Sequence, residues 1–335
     1  MKFVYSLAAL APLLDFTSAG KIRFGCSQLA YGVFDPLVFP GQTTAGHLHQ
    51  FNGGNGLNYT LDLADVSPES SCTTCTFAEN FSNYWTATLF FKARNGTYHR
   101  VQQIPNSGFE QGTGGVTVYY AYPDDGRKVT SFPAGFRMLV GNPSARSSKE
   151  RAKSGTLTYS CLTSLTSRPT GTSSMPTEPC AAGIMANIRF PQCWNGKDLD
   201  SEDHRSHVAS ADAKVESGGV CPSDFPVLLP EIYMEVVWDT TPFNDPSIWP
   251  TDGSQPFVWS QGDLTGFGAH ADYIFGWEGD KLQQAMDDKC KNMNCAALKT
   301  QSIADGKSCA NTLSPAPAAQ LDEWLDTLPN NIVVN

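Results

Sequence analysis

The chain has 335 residues, a formal charge of −10 and an isoelectric point near 5.0. No basic stripe interrupts that acidity, which argues against a polyanionic partner such as nucleic acid and leaves neutral glycans compatible. Length alone permits two domains, but large β domains often exceed the usual size. One β-rich catalytic or binding domain over residues 20–278 is therefore expected, with a leader over 1–19 and a helical C-terminal extension over 279–335 packed on it.

In chain order, Lys2, the apolar run Phe3 to Leu14 and the small residues Thr17-Ser18-Ala19 read as a secretory signal cleaved before Gly20. The run is too short to span a bilayer, and no later segment reaches about 20 apolar residues without charge or proline. Ile332-Val333-Val334 is too short for a glycolipid-anchor tail. A secreted, extracellular or cell-wall protein is expected, with no membrane partner and as a monomer. Ten cysteines, at 26, 72, 75, 161, 180, 193, 221, 290, 295 and 309, suit disulfides in an oxidising compartment. That compartment also favours a disulfide role for Cys72-Thr73-Thr74-Cys75 over a redox or zinc motif; the pairing stays open. Three sequons, at Asn58, Asn80 and Asn95, are expected to mark exposed loops of a glycoprotein.

With 29 glycines, 22 prolines and short apolar runs, the chain reads as mainly β. The runs are Tyr84–Phe91, Gly115–Tyr122, Phe136–Val140, Thr156–Cys161, Ile184–Phe190, Ile232–Trp238 and Pro256–Ser260. Their alternation and aromatic, β-branched content predict a single β-sandwich or jelly-roll-like domain with long disulfide-braced loops. One or two short C-terminal helices complete the expectation. The first is N-capped by Asp280, with Leu282, Ala285, Met286, Lys289 and Met293 at helical spacing; the second covers Ala318 to Leu328 and ends at Pro329. Thr163–Glu178, rich in Ser, Thr, Pro and Gly, reads as a surface loop or an O-glycosylated insert.

Five of the six histidines fall in three short segments: Gly46-His47-Leu48-His49, Asp203-His204-Arg205-Ser206-His207 and Gly268-Ala269-His270-Ala271-Asp272. Histidine titrates near neutral pH and is the commonest metal ligand, so the bunching predicts one polar site assembled from distant parts of the chain. His47 and His49, two apart, project together from an extended strand, as do His270 and Asp272. His204 and His207 share a face if a helical turn forms, with Asp198, Asp200 and Asp203 as partners that fix an imidazole or act as bases. Asp263 lies in the glycine-rich run before His270. On the strand Tyr233–Asp239, Tyr233 and Glu235 share one face, as in the wall of a glycan cleft. Trp85, Trp194, Tyr233 and Trp277 are candidate faces for sugar rings. His99, beside a sequon, reads as an exposed loop residue outside the site.

The stretches Asp35-Pro36 through His49, Ser82-Asn83-Tyr84-Trp85, Phe132-Pro133-Ala134-Gly135-Phe136-Arg137-Met138, Cys193 through His207 and Gln255 through Trp277 together resemble a fungal secreted family. It is catalogued as domain of unknown function nineteen-ninety-six. The resemblance runs from about Ile22 to Cys290 and includes the five clustered histidines residue for residue. This chain departs from the family pattern at Asn195, where aspartate is usual, and at Ala271, where glycine is common. The resemblance implies secretion, a fungal source and a cell-wall or plant-polymer context. Family members sometimes carry WSC-type wall-binding modules, and none is evident in this sequence.

Three functions follow from these residues. The favoured one is a secreted glycoside hydrolase acting on a fungal or plant cell-wall polysaccharide, by carboxylate acid/base catalysis in a histidine-rich cleft. Its catalytic set is His47, His49, Asp200, Asp203, His204, His207, Asp263, His270 and Asp272, with Asp203 or Asp263 as acid or base. Its substrate-binding set is Trp85, Trp194, Tyr233, Glu235 and Trp277. The second is a metal-dependent extracellular enzyme in which His47, His49 and His270 ligate a divalent ion such as Zn, Cu or Mn, with Asp35 or Asp272 nearby. A polysaccharide lyase stands beside it and would require a basic cleft. The third is a non-catalytic glycan-binding protein. No cofactor is required by the first or third reading.

Overall fold

A computed structural model describes residues 19–61, 65–151, 155–214, 218–311, 313 and 321–335. The expected leader therefore lies outside the described residues apart from Ala19, which opens the first strand. The architecture is mainly β, as the alternation of short apolar runs predicts, with two large sheets packed as a sandwich. The first sheet has seven strands. Along its main path they are Thr156–Cys161, Ile184–Arg189, Glu231–Trp238, Val116–Pro123, Ala19–Cys26 and Lys291–Asn292, and Gln103–Ile104 pairs with Glu231–Trp238 off that path. Only the Lys291–Asn292 pairing is parallel. The second sheet has five antiparallel strands in the order Gln28–Gly32, His49–Gly53, Asn83–Ala87, His270–Ile274, Arg137–Gly141.

Period-two alternation sends Phe24, Tyr120, Ile188 and Met234 of the first sheet inward, where they meet Tyr84, Met138 and Tyr273 of the second. Tyrosine hydroxyls bridge the sheets: Tyr120 contacts Tyr84 at 2.7 Å and Tyr273 at 2.9 Å, and the Trp277 indole donates to Tyr120 at 3.2 Å. Their polar ends are thus satisfied inside the core, as burial demands. The other face of the five-stranded sheet is also covered. Phe51, Trp85, Leu139 and Ile274 project there and pack under Phe34, Leu37, Leu57 and Leu61, forming a second apolar cluster. Functional side chains on this face are consequently roofed by the segment that follows the Gln28–Gly32 strand.

All ten cysteines are paired, as Cys26–Cys75, Cys72–Cys309, Cys161–Cys180, Cys193–Cys221 and Cys290–Cys295. Cys72 and Cys75 bond to different partners, so the CxxC spacing closes no ring of its own. Cys161–Cys180 braces the largely exposed 163–178 loop. The described part of the C-terminal extension is mostly irregular rather than helical. Its helix spans only Lys281–Asp287 and buries Leu282, Ala285 and Met286. Lys289 has left-handed φ, so the apolar spacing that reaches Met293 does not continue as helix. The helix expected over Ala318 to Leu328 falls partly outside the described residues. A short helix at Ile303–Gly306 was not anticipated. The Cys72–Cys309 bond and the hydrogen bond from Asn335 N to Gly262 O tie the extension to the sandwich. One sequon departs from expectation: Asn80 is fully buried, donating to Tyr84 and accepting from Ser82 N, whereas Asn58 and Asn95 are exposed.

Candidate metal centre

The antiparallel register explains how distant segments meet. His49 pairs with Ala87, and the register of the next pair carries Ala87 alongside His270, which itself pairs with Gly141. One row across the sheet thus reads His49, Ala87, His270, Gly141. The small residues between and beside the imidazoles leave them room to lean together, and the His49 and His270 ring centroids are 5.9 Å apart. The next row reads Phe51, Trp85, Asp272, Leu139, which sets Asp272 on the same face as His270. His47 enters from the segment before the strand, its ring 4.1 Å from His49 and its Nε2 3.0 Å from Nε2 of His270. Asp35 comes from the roof, 3.8 Å from His49 Nε2.

Donor atoms of His47, His49 and His270 all lie within 4.8 Å of one another, and so do those of Asp35, His49 and Asp272. His49 Nδ1 lies 2.9 Å from the Phe34 carbonyl and His270 Nδ1 3.1 Å from the Gly268 carbonyl. Each Nδ1 must carry the proton to bond a carbonyl, so each Nε2 presents a lone pair to the cluster. This backbone-fixed tautomer is the arrangement that orients histidine ligands. Nitrogens sharing a tetrahedral ion at 2.0–2.1 Å bonds sit about 3.3 Å apart, close to the His47–His270 separation.

Electrostatics agree with an ion-shaped need. Burial, reinforced by the charges of the neighbouring imidazoles, holds His47 well below the ordinary histidine range. His49 is lowered by burial against the opposing pull of Asp35, and His270 falls to about 3, again chiefly by burial. All three are neutral near pH 7, the form that ligates metals. Asp272 is fully buried, and neither carboxylate oxygen has a hydrogen-bond partner among the described residues. Burial pushes its pKa well above the usual carboxylate value, with the Asp35 charge adding to the effect. His49 Nε2 is likewise buried without a hydrogen bond. Asp35 is different: its Oδ1 accepts from the backbone N–H of Leu37 and Val38 at 2.9 and 3.0 Å, leaving Oδ2 toward His49.

The remaining expected site residues are placed elsewhere or are already occupied. His207 is buried between the Arg137 carbonyl and the Ser201 hydroxyl, both at 2.9 Å, so its two ring nitrogens are spent on structure. His204 bonds Asp200 at 2.8 Å on the partly exposed loop outside the donor cluster. Burial works against ionising Asp203, but donors from Ser206, Arg205 and Ser201 outweigh it and lower its pKa. That carboxylate organises its own turn. Asp263 is fully buried and accepts from Thr265 N and Oγ1 and from Gly268 N, at 2.6 to 2.7 Å. It shapes the loop delivering His270 and cannot reach a substrate. Asp203 and Asp263 are accordingly set aside as acid or base.

The aromatic expectations change as well. Trp85 and Trp277 are fully buried, one in each apolar cluster, and offer no face to a sugar. Tyr233 lies on the outer face of the seven-stranded sheet, stacked on Tyr119 with the Arg189 guanidinium 4.7 Å from its ring centroid. Glu235 beneath it accepts from Asn106, Tyr119 and Tyr233. Both belong to the sheet opposite the histidines. Trp194 is half-buried and donates to the Asp198 carbonyl. Arg205, between the two loop histidines, is the residue that histidine counting passed over. Its burial signal exists only in three dimensions.

Fold and site together define a two-sheet β-sandwich with a buried histidine–carboxylate centre on the roofed outer face of its smaller sheet. The chain belongs to the family described as Domain of unknown function (DUF1996), whose profile matches residues 35–277. That match begins at Asp35 and extends past Asp272, so it contains the whole donor cluster. No curated protein and no solved structure matches the chain. No helix among the described residues is long and apolar enough to cross a membrane.

Proposed function

We propose that the protein is a metal-dependent extracellular enzyme acting on a glycan, with a divalent transition ion held by His47, His49 and His270 and neutralised by Asp35 and Asp272. The observation that carries this reading is that three neutral imidazoles bring donor atoms within 4.8 Å of one another, and that one of them, His49, also meets a buried carboxylate whose two oxygens have no hydrogen-bond partner among the described residues. Ionising a buried carboxylate costs several kcal/mol, and a dication held on His49 beside it would offset that cost. A hydrolase run by a carboxylate pair is less well supported. Asp35 and Asp272 are buried under the roof, and Asp203 and Asp263 are engaged in their own loops.

An ion held by His47, His49 and His270 would supply Lewis-acid activation of a bound water near neutral pH. The chain supplies the rest. Roofing residues Phe34 and Leu37 exclude bulk water, and His47, partly exposed, forms the mouth. Phe39, 39% exposed, lies against Gly46 beside that mouth, offering an aromatic face of the kind that sugar rings pack on. Five disulfides support an oxidising, extracytoplasmic setting. The fungal source and cell-wall context implied by the family resemblance are what point to a wall polysaccharide.

Elemental analysis of the dialysed protein tests the centre: about one equivalent of a transition metal is expected, lost in His49→Ala. A screen on wall glycans, with product mass spectrometry before and after chelation and re-metallation, tests the reaction. Metal-free protein with chelator-insensitive cleavage would overturn the metal reading and favour carboxylate catalysis. Metal-bound protein without turnover on any glycan would leave a metal-binding protein in place of an enzyme.

A further inference from the structure

The loop carrying the second histidine cluster runs beside the centre without contributing a ligand. Leu139 N donates to the His204 carbonyl at 2.9 Å, and Leu139 is the register partner of Asp272. Arg205 therefore stands one strand away from Asp272, at the outer edge of the five-stranded sheet. It lines an open cleft of about 560 Å³ that also includes Leu139, Asn142, Arg151 and Phe225. Arg205 is half-buried, its Nε is fully buried with no hydrogen-bond partner, and its guanidinium bonds no described residue. Its charge acts on both Asp272 and His270, although it forms no ion pair with Asp272.

The other charges at the cleft are committed. Arg151 donates to the Leu157 carbonyl and lies over the Phe267 ring. Glu150 accepts from Arg146 N and the Ser147 hydroxyl, and Asp203 accepts from Ser201, Arg205 N and Ser206. A guanidinium is a planar fork of five donors that matches a carboxylate bidentately. The two Nη groups are not buried and bond no described residue, so they are free to meet a ligand carboxylate that enters the cleft.

We propose that Arg205 is a substrate-binding residue that seats the carboxylate of a uronate sugar in this cleft, making the substrate an acidic glycan. The inference rests on the metal-dependent reading of the neighbouring centre and names its substrate class. It also supplies what the sequence lacked, a cation placed to neutralise a uronate. Neutral wall glucans would leave the Arg205 fork unpaired and bind less well.

The test is calorimetric titration of the metal-loaded full chain with an oligogalacturonide of four residues, the same oligomer methyl-esterified, and its carboxyl-reduced counterpart. The acid is expected to bind at least tenfold more tightly than either neutral form. Arg205→Gln is expected to abolish that preference, and Arg205→Lys to keep part of it, with metal content unchanged in both. Equal affinity for acid and ester would overturn the proposal, and this comparison requires no variant to fold. An acid preference that survives Arg205→Gln intact would overturn it too. If the wild-type chain holds no metal yet discriminates acid from ester through Arg205, the metal centre fails and the anion site stands.

Discussion

Replacing Asp272 with asparagine has an effect that changes sign with the metal, which makes it a sharp probe of the centre. Without an ion, the wild-type chain buries a carboxylate lacking any hydrogen-bond partner among the described residues. Leaving a buried polar group unsatisfied costs about 1–3 kcal/mol, and more when it is charged. A neutral amide of the same shape relieves part of this, so a gain of about 2 kcal/mol is expected in the metal-free protein at pH 7. At about 2–4 °C per kcal/mol for chains approaching this size, Tm rises by about 4–8 °C. The pH profile changes with it. Because the Asp272 pKa is raised on folding, its stabilising effect is complete below the unfolded value of about 3.8 and is lost as pH rises from there toward the folded pKa. The slope over that interval is at most about 1.4 kcal/mol per pH unit. His47, His49 and His270 are lowered on folding and act in the opposite sense, removing stability as pH falls below about 6.5, for His270 down to about 3. The two trends oppose each other between about pH 3.8 and 6.5 in the wild type. In the variant only the histidine trend remains, so metal-free Tm climbs steadily from pH 4 to 7. An ion at a hundred times its Kd adds about 2.7 kcal/mol to the wild type. Losing the anionic partner weakens such sites about 10–100-fold, or about 1.4–2.7 kcal/mol, so most of the metal-induced shift disappears. Scanning calorimetry of chelated and Zn- or Mn-loaded protein across pH 4–8 reads all of these. A variant less stable than wild type without metal, and stabilised by metal to the same degree, refutes the reasoning.

Four further outcomes separate structural residues from ligands. His207→Ala removes both bonds of a buried ring and should cost about 2–3 kcal/mol in denaturant unfolding, while bound metal measured by elemental analysis stays unchanged. Asp263→Ala releases the turn that leads to Gly268, whose carbonyl fixes His270 two residues on; about 3 kcal/mol of stability and most of the bound metal should be lost together. Asp200→Ala breaks a partly exposed pair with His204, and both stability and metal content should move by less than about 1 kcal/mol and a tenth of an equivalent respectively. Expressed in a glycosylating eukaryotic host, the protein should carry glycan at Asn58 and Asn95 by peptide mass spectrometry and none at Asn80; an occupied Asn80 would contradict its full burial in the folded chain.

The sandwich is legible in the sequence because its strands are built from a local rule. Ile232, Met234 and Val236 alternate with Tyr233 and Glu235, and the structure buries the first set in the core and puts the second on the outer face. The same rule brings out part of the site. His270 and Asp272, two apart, do share a face, and His47 and His49 do project together although only His49 lies on a strand. The failures have a different origin. Trp85 and Trp277 are ordinary members of alternating or bridging segments, and nothing local distinguishes a tryptophan under a roof from one in a cleft. The roof itself is irregular chain around Phe34, Leu37 and Leu57, whose path no period announces.

The five histidines show most clearly where local information ends. All five are polar-segment residues beside glycine or carboxylate, yet three converge and two do not. The deciding factor is the tertiary partner that each ring meets. His49 and His270 give Nδ1 to the backbone carbonyls of Phe34 and Gly268 and turn Nε2 into the cluster, where that of His270 meets His47 Nε2 at 3.0 Å, whereas His207 spends both nitrogens, on Arg137 O and Ser201 Oγ. Those partners are 15 residues away for His49 and 70 away for the Arg137 contact, so the choice is written in tertiary contacts rather than spacing. The same contacts explain why the excluded cluster still matters. By fixing its loop along Leu139, His204 and His207 hold Arg205 beside Asp272, so histidines outside the donor cluster shape the cleft next to it. A composition anomaly that suggests one catalytic set thus resolves into three imidazoles that converge and two that fix a loop, the latter held apart by their contacts with Asp200, Ser201 and Arg137.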